Sequence, residues 1–279
     1  MEESVRPLDD DALALFARKG REGTLPVPQA GEANGVKVRR IMQITRDLAR
    51  RPFGKLRILD LGCGEGVYAV EAGLRGADVL ALDARTLRME MGAACAARHG
   101  LNNVRFLQED VRRVTRDAHG EFDVVYCLGL LYHLDVPDVF HVLGNLHALC
   151  AGMLVVDTLV SLDGGSEALH DGHVYEGEKR REHGDEDSDE VRRSRVLKSI
   201  DNTFSFLFTR ESLVRVLSDV GFSSVLECHA PPEPLKARDR ITLVALKGER
   251  VLISTYPWVN GKSELEIEQR LRALESEPP

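Results

Sequence analysis

The sequence predicts an α/β fold in which a mostly parallel sheet carries helices on both faces. Three observations predict it. From residue 56 onward, short apolar runs alternate with stretches of helix length, so successive strands are joined by crossover helices and run parallel. The first strand, LRILDLG (56–62), enters a glycine-rich turn and then a helix. Three acids, Asp60, Asp83 and Asp110, close three successive strands, at the edge where open α/β sheets bind their ligands.

The elements follow in order. Residues 9–19 read as a short helix, with Leu13, Leu15 and Phe16 on one side. Residues 20–35, rich in Gly, Pro and Gln, read as a loop. Residues 36–50 read as an amphipathic helix, setting Val36, Ile41, Ile44 and Leu48 against Lys37, Arg39, Arg40 and Arg46. After the first strand come a helix at 66–76 ended by Gly76, a strand at 77–83, a helix at 86–100 ended by Gly100, and strands at 104–110 and 122–131. A helix at 136–150 takes Pro137 in its first turn, and a strand spans 152–160. Residues 161–200 break this alternation. They hold few apolar residues and a dense mixture of both charges, which reads as a solvated, partly mobile insertion or as a lid over a pocket. Thr209 caps a helix over 209–222 that Gly221 ends. Strands at 223–229 and 240–248 flank PPEPLKARD, which is long for a tight hairpin, and 261–275 reads as a polar helix. The expected organisation is a helical cap (1–55), a core (56–160), a charged insertion (161–205), the rest of the core (206–248) and an extension (249–279).

Composition narrows the function. The 279 residues carry a net charge of −8, so a global basic field for nucleic acid is absent. Five scattered cysteines, Cys63, Cys95, Cys127, Cys150 and Cys228, form no CxxC pair, and neither a zinc cluster nor a redox motif is expected. Cys127 and Cys150 lie in apolar runs and read as buried small hydrophobes. The N-terminus is acidic and lacks the pattern of a signal peptide, and no apolar run reaches the ~18 residues of a membrane span. The expectation is a cytoplasmic protein without membrane contact.

The strand–turn–helix ILDLGCGEGVYAV (58–70) carries the chemistry. Gly62, Gly64 and Gly66 let the backbone adopt positive φ and approach a ligand closely. Asp60, two residues ahead of them, is placed to hydrogen-bond the loop or a ligand amine. Asp83 can accept both hydroxyls of a ribose, and Asp110 sits where an adenine amino group can be read. A dinucleotide site has GxGxxG, whereas these glycines read GxGxG. A carboxylate beside the loop repels a pyrophosphate and attracts a cation, which favours a sulfonium ligand over a dinucleotide.

ILDLGCGEG resembles the first signature of class I methyltransferases that use S-adenosylmethionine (SAM). ALDA (81–84) resembles the second, QEDV (108–111) the third and FDVVYCLGLLYHL (122–134) the fourth. GMLVVDT is similar to the fifth strand of that fold and RITLVALKG to its reversed last strand. The resemblance spans about residues 36–248. It implies a Rossmann-like, seven-stranded, mostly parallel sheet with the last strand reversed, and SAM as cofactor. It implies that Gly62, Cys63, Gly64 and Gly66 with Asp60 form the methionine-end loop, that Asp83 with Ala84 takes the ribose and Asp110 with Val111 the adenine, and that Leu128 and Tyr132 line the methyl-transfer face. CLGLLYHL, DNTFSFLFTRESL and GFSSVLEC are further similar to bacterial methyltransferases related to the tRNA wobble-uridine carboxymethyltransferase family. That family has a long N-terminal extension and basic tRNA-facing residues, and this acidic chain departs from both.

Methyl transfer needs an aligned nucleophile and, for some acceptors, removal of a proton. His133 is the candidate general base. The alternative is a histidine that orients its loop by a hydrogen bond. Tyr132 reads as a pocket-lining residue rather than a base, since a tyrosine hydroxyl ordinarily gives up its proton only near pH ~10. His170, His173 and His183 with Glu176, Glu182 and Asp185 match no metal-binding spacing and read as surface polarity; Asp157, Asp201 and Asn202 are a poor match to a magnesium site, and no metal is expected. Arg39, Arg40, Arg180, Arg181, Arg192 and Arg193 are candidates to hold an anionic group or to face solvent. Trp258 and PPEP are candidates to close the pocket or to join a dimer interface. The expected partner is a small-molecule methyl acceptor, tRNA being the rival, for a monomer or homodimer. A SAM-binding regulator without catalysis and an NAD-dependent oxidoreductase are the remaining alternatives.

Overall fold

A computed structural model describes residues 27–230 and 237–249 together with Gln269, Arg272 and Ala273. The helix expected at 9–19, the PPEP segment and Trp258 lie outside the described residues. Of the helix expected at 261–275, the three described positions are helical.

The parallel core is built from β1 (Arg57–Leu61), α2 (Val67–Leu74), β2 (Asp78–Asp83), α3 (Thr86–Arg98), β3 (Val104–Gln108), α4 (Arg116–His119), β4 (Phe122–Leu128), α5 (Asp138–Leu149) and β5 (Cys150–Leu159). It is preceded by α1 (Val27–Leu48) and completed by α7 (Arg210–Asp219), β9 (Ser224–Glu227) and β10 (Arg240–Leu246). The seven strands lie in the order β3-β2-β1-β4-β5-β10-β9, with β1 to β5 parallel and β10 antiparallel to both its neighbours. The order reverses at β1, so the strands on either side of it open a crevice at their carboxyl ends. Both faces are buried, as a parallel sheet requires, and two apolar clusters cover them.

The first described helix differs from expectation. It starts at Val27, inside the segment 20–35 that reads as a loop. Pro28 falls in the first turn, where its missing N–H has no partner to lose. From Val36 onward the helix packs inward: Val38, Ile41, Met42 and Ile44 are buried, and Thr45 Oγ1 lies 2.7 Å from the buried Tyr126 hydroxyl on β4.

The insertion also differs. It forms a three-stranded antiparallel sheet, β6 (Ser166–His170), β7 (His173–Arg181) and β8 (Phe204–Phe208), with a short helix α6 (Asp189–Ser194) between the last two. Ala168, Tyr175, Phe206 and Phe208 belong to the same apolar cluster as α5 and β5. The charge-rich sequence hides a period-two strand: Tyr175 and Gly177 face inward, and Lys179 and Arg181 lay their cations over the Phe204 ring at 4.6 and 4.7 Å. The expected domain boundary at 205/206 falls within β8. Two contacts fix this sheet to the loop after β4. The Phe206 N–H donates to the Leu134 carbonyl at 2.8 Å, and Asn202 Nδ2 donates to the His133 carbonyl at 3.1 Å.

At the end of β5, Asp157 is 4% exposed and accepts from Arg240 Nε at 2.6 Å and Thr242 Oγ1 at 2.8 Å. Removing one partner of such a pair strands the other charge. Asp157→Asn is therefore expected to lower the unfolding free energy by about 3 kcal/mol in urea titrations. A loss below about 1 kcal/mol would show that this ion pair does not hold β10 to β5.

Candidate active site

The site begins at the turn after β1. Gly62, Gly64 and Gly66 all have positive φ, 68°, 55° and 73°. Side chains are excluded here twice over, by backbone strain and by space: a Cβ at Gly66 would lie 2.5 Å from the Phe106 ring and one at Gly62 3.1 Å from Leu130. The turn is then tied to the end of β2. Cys63 N–H donates to the Leu82 carbonyl at 2.9 Å and Gly64 N–H to Asp83 Oδ2 at 2.9 Å. The other carboxylate oxygen of Asp83 accepts from Arg85 N–H at 2.8 Å. Two backbone donors thus fix the orientation of an acid at the cleft wall.

The cleft encloses about 670 Å³ including its mouth. One wall is Gly62, Asp83, Ala84, Asp110 and Val111, and the facing wall is Gly129, Leu130, His133 and Leu134. The stretch from Val196 to Asn202 of the insertion lines the third side. Arg85, just after β2, and Arg88, in the first turn of α3, hold that stretch. Arg85 donates to the carbonyls of Arg195, Lys198 and Ser199 at 3.3, 3.0 and 3.0 Å, and Arg88 to that of Val196 at 3.1 Å. Asp110 receives Arg112 through Nη2 at 2.6 Å and Nε at 3.0 Å, and Arg112 also reaches Asp201 at 2.7 Å. The Arg112 backbone N–H also donates to Asp110 Oδ1 at 3.0 Å, so Arg112 engages both oxygens of this acid.

His133 ends a short 3-10 turn, Leu131–His133, and its ring lies 4.3 Å from that of Tyr132. Its Nδ1 is 3.1 Å from Oε1 of Glu182, which is 6% exposed. The second oxygen of Glu182 accepts from Ser199 N–H at 3.0 Å. Tyr132 stands under the Arg240 guanidinium, 5.9 Å from ring centre to the cation.

Of the residues singled out in the sequence, Gly62, Asp83, Ala84, Asp110, Val111 and His133 line the cleft together. Asp60, Cys63, Gly64, Gly66, Leu128 and Tyr132 lie outside its lining. Asp60 and Cys63 are buried, and Leu128 packs against the apolar cluster shared with α1 and α2. Glu182 and His183 are buried in the site region rather than on the surface, because the strand β7 carries them inward at its end. His183 Nε2 lies 2.9 Å from the Ser199 carbonyl. His170 stacks on Phe140 at 4.3 Å and His173 approaches Asp219 at 3.3 Å. Asp157, Asp201 and Asn202 are each engaged elsewhere, with Arg240, Arg112 and the backbone. Arg40 is buried whereas Arg39 is exposed, and Arg180, Arg181 and Arg192 bond within the insertion. The sequence reading missed Arg85, Arg88, Leu130 and Ser199, and read Glu182 as surface polarity. Arg85 directly after ALDA, with Arg88 three residues on, is a signal for the first two, and nothing local marks the others.

Residues 58–151 match a family model described as a methyltransferase domain. The Acinetobacter baumannii (strain AYE) ubiquinone biosynthesis O-methyltransferase is 34% identical over 82 residues, 29% of this chain and 34% of that protein. The Rickettsia prowazekii protein of the same name is 33% identical over 109 residues, 38% of this chain and 41% of that one. The chain thus spans between a third and a half of the length of these relatives. Two solved structures share the fold. The N-terminal domain of EvdMO1, with S-adenosylhomocysteine (SAH) and D-fucose, superposes with a TM-score of 0.60 at 21% identity, covering 76% of this chain and 83% of that one. The Synechocystis PCC 6803 magnesium protoporphyrin IX methyltransferase ChlM, with SAH, gives 0.55 at 14% identity, covering 86% and 95%. The fold is the Rossmann-like fold of class I methyltransferases. Among the described residues no helix is long and apolar enough to cross a membrane.

Three acids near the cleft are held ionised. Burial pushes each carboxyl up, and its partners more than offset that: Arg112 for Asp110, Arg240 and Lys37 for Asp157, and His133 with Ser199 N–H for Glu182. Each folded value therefore lies below the ordinary 3.8 of Asp or 4.5 of Glu. The sign follows: their contribution to stability is complete above those ordinary values and disappears as the pH falls through the folded ones. The melting temperature is expected to be level from neutrality to about pH 5 and to fall below about pH 4. A melting temperature unchanged from pH 7 to pH 2 would remove these carboxylates from the stability account.

Proposed function

We propose that the chain is a SAM-dependent methyltransferase acting on a small molecule. The observation that carries this reading is the Asp83 carboxylate, clamped by the Gly64 and Arg85 amides at the wall of a cleft that also contains Gly62 and Asp110. The residues present fit the cofactor. A Cβ at Gly62 would fill the space beside Leu130, so glycine keeps that part of the cleft open. Asp83 offers acceptors for paired ribose hydroxyls, and Asp110 and Val111 stand where an adenine would lie. When bound, SAM supplies an electrophilic methyl group activated by the positive sulfur.

The chain's own residues would do the rest. Leu130 and Leu134 give the facing wall an apolar surface that keeps water from the reacting centre. His133, on the same wall, would take a proton from the acceptor. The match of residues 58–151 to a methyltransferase domain supports the activity, and the names of the relatives support oxygen as the attacked atom over nitrogen or carbon. The finer resemblance to the tRNA wobble-uridine group rests on CLGLLYHL, DNTFSFLFTRESL and GFSSVLEC, and a net charge of −8 weighs against it.

Two measurements test the reading. Calorimetry with SAH is expected to give one site, and Asp83→Ala to weaken it at least 10-fold, because a buried hydrogen-bonded acid is lost. With radiolabelled SAM and a panel of phenols and other small hydroxyl compounds, His133→Ala is expected to lower turnover about 100-fold while leaving SAH affinity within 2-fold. Equal loss of both would assign His133 a structural role. Absence of any SAH binding would overturn the methyltransferase reading itself.

A further inference from the structure

Glu182 comes from the insertion, 49 residues after His133, in a segment whose sequence looks like solvated surface. Its two oxygens are nevertheless both committed inside the protein, Oε1 to His133 Nδ1 at 3.1 Å and Oε2 to Ser199 N–H at 3.0 Å. Ser199 is itself fixed, since its carbonyl accepts from Arg85 Nη2 at 3.0 Å and lies 2.9 Å from His183 Nε2. The chain Arg85–Ser199–Glu182–His133 therefore runs from the end of β2, where Asp83 stands, to the facing wall of the cleft.

We propose that Glu182 is the positioning residue for His133, fixing its proton on Nδ1 so that the lone pair of Nε2 is available to an acceptor hydroxyl in the cleft. An ionised carboxylate accepts hydrogen bonds and cannot donate them, so the nitrogen facing it carries the hydrogen. The partners of Glu182 hold it ionised, as described above. A neutral imidazole with a hydrogen on Nδ1 has its basic nitrogen at Nε2. The same logic governs histidines oriented by carboxylates in other hydrolytic and metal sites.

The inference rests on the methyltransferase reading for its purpose and names an acceptor class: a hydroxyl compound, whose proton must leave during transfer. As the acceptor oxygen bonds to the methyl carbon of SAM, the carbon–sulfur bond breaks and its electron pair stays on sulfur. The hydroxyl proton passes to Nε2. The resulting imidazolium, charge +1, faces the Glu182 carboxylate, and the proton then leaves to solvent. No further reactant is needed.

Glu182→Gln makes a sharp test, because it changes neither size nor shape. The Ser199 N–H can only donate, so it claims the single oxygen of the glutamine. The amide NH₂ is then left facing Nδ1, which must become the acceptor, and the hydrogen moves to Nε2. Histidine ¹⁵N spectra of the full chain at alkaline pH, with the His133 signals assigned by their loss in His133→Ala, read this directly. The wild type is expected to show His133 with a protonated Nδ1 and a bare Nε2, and Glu182→Gln to show the two exchanged. SAH calorimetry on both proteins is expected to agree within 2-fold. A wild-type His133 protonated at Nε2, or a tautomer unchanged in Glu182→Gln, overturns the proposal. Absence of SAH binding in the wild type instead overturns the methyltransferase reading and leaves the tautomer result standing on its own.

Discussion

The hydrogen bond from the Gly64 amide to Asp83 joins the two halves of everything the cleft does. It connects the glycine turn after β1 to the acid that closes β2, and so sets the distance between the loop and the carboxylate. Parallel pairing places those two ends side by side: Asp60 is in register with Ala81, and Leu61 with Leu82. The same pairing carries Asp83 next to Gln108 of β3, two residues before Asp110. The site geometry is thus a consequence of strand register, since a slip of one residue would turn each of these side chains to the opposite face.

The facing wall has a different origin. It comes from the 3-10 turn after β4 and is held by an antiparallel sheet inserted between β5 and α7. β8 bonds to the turn through Leu134, and Asn202 bonds to the His133 carbonyl. The loop between β7 and β8 then passes across the cleft, where Arg85 and Arg88 hold its carbonyls.

Much of this was legible in the sequence, for physical reasons. The alternation of apolar runs and helical stretches identifies a parallel sheet because crossover helices must bury one face. Gly62, Gly64 and Gly66 announce a turn at positive φ, and Asp83 and Asp110 announce strand ends. What was not legible depends on tertiary packing. The start of α1 at Val27 was hidden because Pro28, Gly31 and Gly35 read locally as a loop. The strand β7 reads as a charged run because its inward positions are a tyrosine and a glycine, which add little hydropathy. Glu182 reads as surface polarity in the sequence, since an acid among arginines and aspartates gives no sign of burial until its partner, 49 residues away, is in place.

If loop, acids and facing wall form one nucleoside-shaped cleft for SAM, a crystal structure with SAH bound will show it. Both ribose hydroxyls are expected on Asp83, the adenine beside Asp110 and Val111, and the sulfur turned toward the wall of Leu130 and His133. Density for the nucleoside anywhere else, or an empty cleft at saturating SAH, would contradict it.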